Sequence, residues 1–280
     1  MAIRLAENNY GKSRVRLVHV TRGRDRHDLK DLTVNIQLEG DFETAHTAGD
    51  NRKVLPTDTM KNTVYVMARK HPPQEIEDFA QQLVAHFLER NPQVSQARVE
   101  IRESLWERVP KEGRAHPSAF QATAEKRTTE VTGTRQRVSI HSGIEDLVLL
   151  RTSGSAFEDF LRDDYTTLKD ASDRILSTAV RARWLFGPGE ISFGECWRGV
   201  RETLVGTFAD HPSKSVQHTL YAMGEAVLNR FPAIAEIRIS MPNRHCLPVD
   251  LTPFHLENRN DIFVPVDEPH GLIEATLKRT

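Results

Sequence analysis

Runs in which apolar residues recur at every second position come in pairs along this chain, and segments with helical spacing lie between the pairs. This patterning limits the fold most: a period of two commits a segment to a strand, and a one-sided stripe near 3.6 commits it to a helix. Residues 13–21 set Val15 and Leu17 against Arg14 and Arg16, and a polar hairpin at 22–27 leads to a second strand over 29–38. Residues 40–51 and 54–65 read as short helices joined by turns. After Pro72 and Pro73, which end one element and open another, Ile76, Phe79, Ala80, Leu83 and Phe87 recur at helical spacing over 74–89. Val99, Ile101 and Leu105 then alternate with Arg98, Glu100 and Arg102. Phe120, Ala122 and Ala124 permit a strand that enters a charged hairpin, EKRTTEVTG, with residues 135–141 as its antiparallel partner.

The second part repeats the plan. Leu147–Leu150 is a short apolar run, and Val180, Ala182, Trp184 and Phe186 alternate with Arg181 and Arg183. Two helical stripes follow, Trp197, Val200, Leu204 and Phe208, then Val216, Leu220, Met223 and Val227, separated by a break containing His211 and Pro212. Ile237, Ile239 and Met241 form a strand that Pro242 is expected to end. A last strand is expected over 261–266, with 271–277 packing across a partner. The order strand, strand, helices, strand, strand thus occurs twice, with a boundary near 133–143 and units over 1–138 and 139–280. The fold class is α+β: each unit carries an antiparallel sheet with helices on one face, and its open face calls for cover by the other half or by other subunits.

A chain of 280 residues with 38% hydrophobic and 28% charged residues can bury a substantial core. The formal net charge of −1 gives no global field to attract nucleic acid or an anionic membrane. Cys196 and Cys246 are far apart and in no CxxC, which opposes a disulfide framework or structural zinc site and suits a reducing compartment. With no signal-type apolar segment and no apolar run approaching about 20 residues, a cytoplasmic protein is expected.

Four polar clusters adjoin the periodic segments. VLPTDTMKNTVY (54–65) holds Thr57, Asp58, Lys61 and Asn62, and Thr57 or Asp58 can cap a helix there. The others are 166–174, 215–217 and 243–245. Arg174 offers a rigid fork and Gln217 both amide functions, types that match the edge of a planar heterocycle, and Phe157 offers an aromatic face. His245, in MPNRH, can exchange a proton near neutrality. Each also has a structural reading: Arg174 paired with Asp173, Gln217 bonded within its helix, Phe157 in the core, and Lys12, at the mouth of the first strand, simply solvated. No HExxH, P-loop, GxGxxG or GxSxG is present, and the histidines lack metal-ligand spacing.

VLPTDTMKNTVY, FLRDDYTTLKDASDRILST, SVQHTLYAMG and MPNRHCLPVDL, in that order, together with YGK, DFETAHTAGDN and PHGLIEAT, resemble the urate oxidase family over nearly the whole chain. The resemblance implies two tandem tunnelling-fold (T-fold) units and a homotetramer whose sheets close barrels around a tunnel. It implies oxidation of urate by dioxygen and water to 5-hydroxyisourate and hydrogen peroxide, with no metal and no organic cofactor. It places the catalytic lysine, threonine and histidine on Lys12, Thr57 and His245, and the oxygen- and water-holding asparagine on Asn243, with Thr57 sharing that place. It places urate contacts on Arg174, Gln217, Phe157, Leu168 and Asn243, on Thr57, and on the backbone of Asp58 and Val216. Thr57 and Asp58 are implied to come from a neighbouring subunit, so that Thr57 meets Lys12 and His245 of another chain. Two readings compete: a T-fold enzyme acting on a pterin or purine without net oxidation, and a noncatalytic assembly or binding protein built on the same sheets.

Overall fold

The computed structural model describes residues 3–280, which divide into two compact units, the first ending at Gly143 and the second running Ile144–Thr280. In the first unit the strands β1 (Tyr10–Arg22), β2 (His27–Gly40), β3 (Val94–Lys111) and β4 (Arg114–Gly133) pair antiparallel in sequence order. Between β2 and β3 lie α1 (Glu43–Thr47), α2 (Thr57–Lys70) and α3 (Ile76–Arg90). Their stripes bury Met60, Val64, Phe79, Leu83 and Phe87 against Leu32, Val34, Ile36, Val99 and Ile101 of the sheet. Each such side chain contributes about 1.5–3 kcal/mol relative to exposure. The other face of the sheet carries charge, with Arg98 paired to Glu100 and to Glu130 on the neighbouring strand.

EKRTTEVTG is not a hairpin. It is the second half of β4, and the turn falls earlier, at Glu112 and Gly113, which both have positive φ, 51° and 75°. A two-residue turn with both φ positive matches the twist of the strands it joins. Within the run, Arg127 and Thr129 alternate inward, and buried Arg127 meets Glu75 and Glu77 at 2.6 Å each. Burial raises the Glu77 carboxyl above its ordinary range against the pull of Arg127, and Ser142 donates to its second oxygen.

β5 (Val138–Arg151) runs from the first unit into the second. The second unit holds β6 (Leu176–Phe186), α4 (Phe193–Asp210), α5 (Val216–Arg230), β7 (Ile234–Pro248), the single turn η1 (Thr252–Phe254) and β8 (Phe263–Lys278). Trp197, Val200, Leu204, Leu220, Met223 and Val227 bury against Val180, Trp184, Ile237, Ile239 and Met241. The two segments expected at 261–266 and 271–277 are one strand, β8, which pairs with β7 of the same chain. Pro242 does not end β7: the strand runs on to Pro248, and Pro242 lies opposite Leu272 of β8. Towards β6 the pairing passes from Ser240 directly to Asn243, so the missing N–H falls where that ladder opens. Among the described residues no helix is long and apolar enough to cross a membrane.

Candidate active site

The second unit contains a cavity of about 370 Å³ whose lining includes Phe157, Leu168, Arg174, Val216, Gln217, Asn243 and His245. Three pieces of chain build it. The irregular segment before β6 is pinned by backbone bonds: Phe157 and Ala171 exchange both, at 2.7 and 3.0 Å, and Arg174 N donates to Ser155 O at 2.8 Å. Asp173 is occupied by the Ser155 amide, which donates to its Oδ1 at 3.2 Å, so the Arg174–Asp173 pairing does not form here. Arg174 instead sits with its Cζ 5.3 Å from the Phe157 ring centroid, and its Nε is buried with no hydrogen-bond partner among the described residues. Burial lowers its pKa from the usual guanidinium value. Phe157 stacks on Phe160 at 4.9 Å and 8° and is half-buried, a platform more than a core residue. Arg162 bonds Leu168 O at 3.0 Å and Asp170 at 2.8 Å, bracing the loop that carries Leu168 to the rim.

The second piece is the start of α5. Ser215 caps it, its Oγ accepting from His218 N at 3.1 Å, and Val216 and Gln217 stand in the first turn. First-turn amides have no partner within the helix and present a partial positive charge. Val216 is buried, and Gln217 is exposed at the rim. The third piece is β7, where the register towards β8 shifts between Asn243, opposite Gly271, and His245, opposite Val266. Such an irregularity bends a strand and re-aims its side chains, and here both polar residues line the same cavity. Phe263 and Ile273 of β8 also line it. Nothing local in the sequence distinguishes these two from other apolar strand residues, and only the continuous pairing of β8 brings them there.

Lys12, Thr57 and Asp58 form a separate group in the first unit. Gly11 lets β1 lie against β2, since a Cβ there would sit 1.8 Å from Ile36 O. The register breaks between Lys12 and Val15, with Arg14 at φ 59° and its amide donating to Asn35 Oδ1 at 2.7 Å. Tyr10 ties this strand end to the chain before α2: its hydroxyl donates to Leu55 O at 3.1 Å and accepts from Leu55 N at 2.9 Å. Neither Thr57 nor Asp58 caps α2; the cap position is Pro56 and both are first-turn residues. The Asp58 carboxylate is held by Lys61 and by Asn62 Nδ2 at 3.0 Å, and these bonds, with the charge of Lys12, lower its pKa. Lys12 and the head of α2 are therefore neighbours within one chain. Among the described residues no group of three or more His, Cys, Asp or Glu side chains is placed to hold a metal.

The family model for uricase matches residues 8–132 and 140–274. The chain belongs to the uricase family. The uricase of Arthrobacter globiformis is 45% identical over 278 residues, 98% of this chain and 90% of its own length. That of Dictyostelium discoideum is 36% identical, covering 99% and 98%. The crystal structure of the Arthrobacter uricase superimposes with a TM-score of 0.94 at 44% identity, over 100% of this chain and 96% of that one. A hyperthermostable R298C mutant of Bacillus sp. TB-90 urate oxidase matches with a TM-score of 0.85 at 25% identity, over 97% and 99%. Uricase structures thus share this tandem α+β fold, and the two segments matched by the uricase family model fall one on each repeated set of strands and helices.

Proposed function

We propose that this chain is a urate oxidase that converts urate, dioxygen and water to 5-hydroxyisourate and hydrogen peroxide, with no metal or organic cofactor, as a homotetramer with shared active sites. The observation that carries the reading is Arg174: a half-buried guanidinium with an unpartnered Nε, beside an aromatic ring and facing the cavity that the first turn of α5 also enters. Its desolvation is offset only when a ligand supplies acceptors, and a cation next to a helix N-terminus selects an anion. Planar, anionic urate meets both demands. Arg174 and Gln217 take the purine edge, Phe157 restrains its plane, and Val216 and Leu168 close the apolar side.

Each turnover removes two electrons from urate and delivers them, with two protons, to dioxygen; water supplies the hydroxyl that stays on the ring. Because the urate anion is itself electron-rich, it serves as the reductant. Asn243 holds oxygen and then water over the ring. Lys12 and Thr57, supplied by a neighbouring subunit with Asp58, pass protons to and from the substrate, with His245 assisting at hydroxylation. A lysine acts as base only in its neutral form, which burial or nearby cations favour. The test is oxygen uptake with urate by exhaustively chelated protein. Stoichiometric uptake with peroxide release is expected, and activity that vanishes on chelation and returns with one metal would overturn the cofactor-free reading.

A further inference from the structure

The two units repeat one pattern around the head of a helix. Helices α3 and α5 each have 15 residues, each follows a His-Pro pair (His71–Pro72 and His211–Pro212) by the same interval, and each leads into a strand, β3 or β7. Counted from the first residue of each element, Glu77 holds the place of Gln217, and Glu103 the place of Asn243. Across the ladder the correspondence ends: Asn243 faces Gly271, whereas Glu103 faces Arg127. In the second unit Gln217 and Asn243 line the cavity, and Gly271 leaves the place beside Asn243 open, since a Cβ there would meet nothing nearer than 3.7 Å. In the first unit Arg127 fills the matching place. Its Nη2 bonds Glu75 Oε2 and Glu77 Oε2 at the head of α3, at 2.6 Å each. Glu75 stands at the cap position, where Ser215 caps α5, but it makes no capping bond and gives its carboxylate to Arg127. Arg127, Glu77 and Glu103 are all buried. Glu103 pairs through Oε1 with Lys30 at 2.8 Å, while its Oε2 is buried with no hydrogen-bond partner among the described residues.

We propose that the first unit contains a binding site for a guanidinium-class cation, the counterpart of the cavity in the second, and that Arg127 is its built-in occupant. Three carboxylates act on that one guanidinium: Glu75 and Glu77 by hydrogen bonds, and Glu103 by its charge from the position directly opposite. Ser142 donates to the other oxygen of Glu77 and so holds that carboxylate in place. The polarity is the reverse of the second unit's, where Gln217 and Asn243 are neutral and the half-buried charge, Arg174, is a cation. Buried carboxylates demand a partner that brings both charge and several N–H donors, and a planar guanidinium brings both. An ammonium supplies the charge at a single point, urea supplies the shape without the charge, and an anion is repelled. The unused Oε2 of Glu103 adds an acceptor that a free guanidinium, not tethered to β4, can engage.

Arg127→Ala empties the site, and guanidinium chloride at about 20 mM, far below denaturing concentrations, is the probe. Leaving the carboxylates without their cation should lower Tm by about 10 °C. Guanidinium should then raise the Tm of the variant by about 4 °C and saturate, as binding to the native state requires, and it should leave the parent, whose site is filled, without that rise. Urea and sodium chloride at the same concentration should not reproduce the effect. In Arg127→Ala/Glu77→Gln the affinity for guanidinium should be about tenfold weaker, the loss of one charge-assisted bond. Equilibrium dialysis with a nonreactive purine analogue should count the same number of anion sites in the parent and in Arg127→Ala. A folded Arg127→Ala protein that responds to guanidinium no better than to urea or salt overturns the proposal, and an additional analogue site in it overturns the preference for a cation. Should Arg127→Ala fold in neither buffer, Arg127→Ala/Glu77→Gln, relieved of one unpaired buried charge, carries the same comparison, and equal responses to guanidinium and urea there overturn the proposal as well.

Discussion

At the scale of single residues, the proposed function gives the holding of substrate and the moving of its protons to different side chains, and conservative substitutions separate them. Arg174→Lys keeps the charge but loses the planar fork, so analogue binding should weaken by about 2–5 kcal/mol in a dry site, read by calorimetry. Lys12→Met keeps most of the stem and removes the exchangeable proton. Single-turnover oxidation should slow by about 10²–10⁴-fold while analogue affinity stays near normal, and a parental single-turnover rate would refute the proton role. Tyr10 tests the scaffold beneath that group. Its ring stands edge-on to Phe42 at 4.8 Å, so Tyr10→Phe preserves the packing and deletes both bonds to Leu55. A loss of about 1–3 kcal/mol should lower the urea midpoint. Turnover should fall with it, because the latch sets where Lys12 meets the head of α2, and an unchanged midpoint would show that the two bonds contribute nothing.

At the scale of elements, the link between α4 and α5 carries a pH-sensitive contact. His211 follows the last residue of α4, and its Nε2 lies 3.2 Å from Nδ1 of His218 on α5. The groups that act on it are cationic or become so: His218, and Arg151, whose guanidinium bonds the His211 carbonyl. Burial, then these two neighbours, depress the His211 pKa below the ordinary value for a histidine. A histidine with a depressed folded pKa contributes stability that is complete above the unfolded value and lost as pH falls through the folded one. The native Tm should therefore decline on acidification below pH about 6.5 more steeply than that of His211→Gln, and parallel Tm profiles would exclude the contact as the cause. Helices α3, α4 and α5 were legible because their stripes bury against their own sheets, so periodicity and packing agree. The charged run in β4 was not, since Arg127 is buried only by virtue of Glu75 and Glu77, some 50 residues away, and no local pattern announces a long-range ion pair. Pro242 misled for a related reason: it lacks a donor, but the ladder towards β6 is open at that point. The cavity-lining residues Arg174, Gln217, Asn243 and His245 were singled out by motif resemblance, whereas Phe263 and Ile273, which line the same cavity, became visible only through register.

At the scale of the whole molecule, the two groups of site residues lie in different units of the chain: Lys12, Thr57 and Asp58 in the first, and Arg174, Gln217, Asn243 and His245 in the second. If a shared site takes its first group from one subunit and its second from a neighbour, the pairing of defects decides which mixtures recover. A subunit with Thr57→Ala spoils the first group and keeps the second, and a subunit with Arg174→Met does the reverse. When the two are co-refolded, each isologous mixed pair contains one doubly damaged site and one wholly intact site. Equal mixing should thus restore about a quarter of parental activity from two proteins that are nearly inactive alone. Thr57→Ala mixed with Lys12→Met should restore nothing, because both defects fall in the group that Asp58 and Lys12 already join within one chain. Oxygen uptake by purified mixed oligomers, their composition checked by native mass spectrometry, reads both cases. Recovery in the second mixture would place Lys12 and Thr57 on opposite sides of the interface. No recovery in the first, with mixed oligomers present, would mean that each site draws both groups from a single chain.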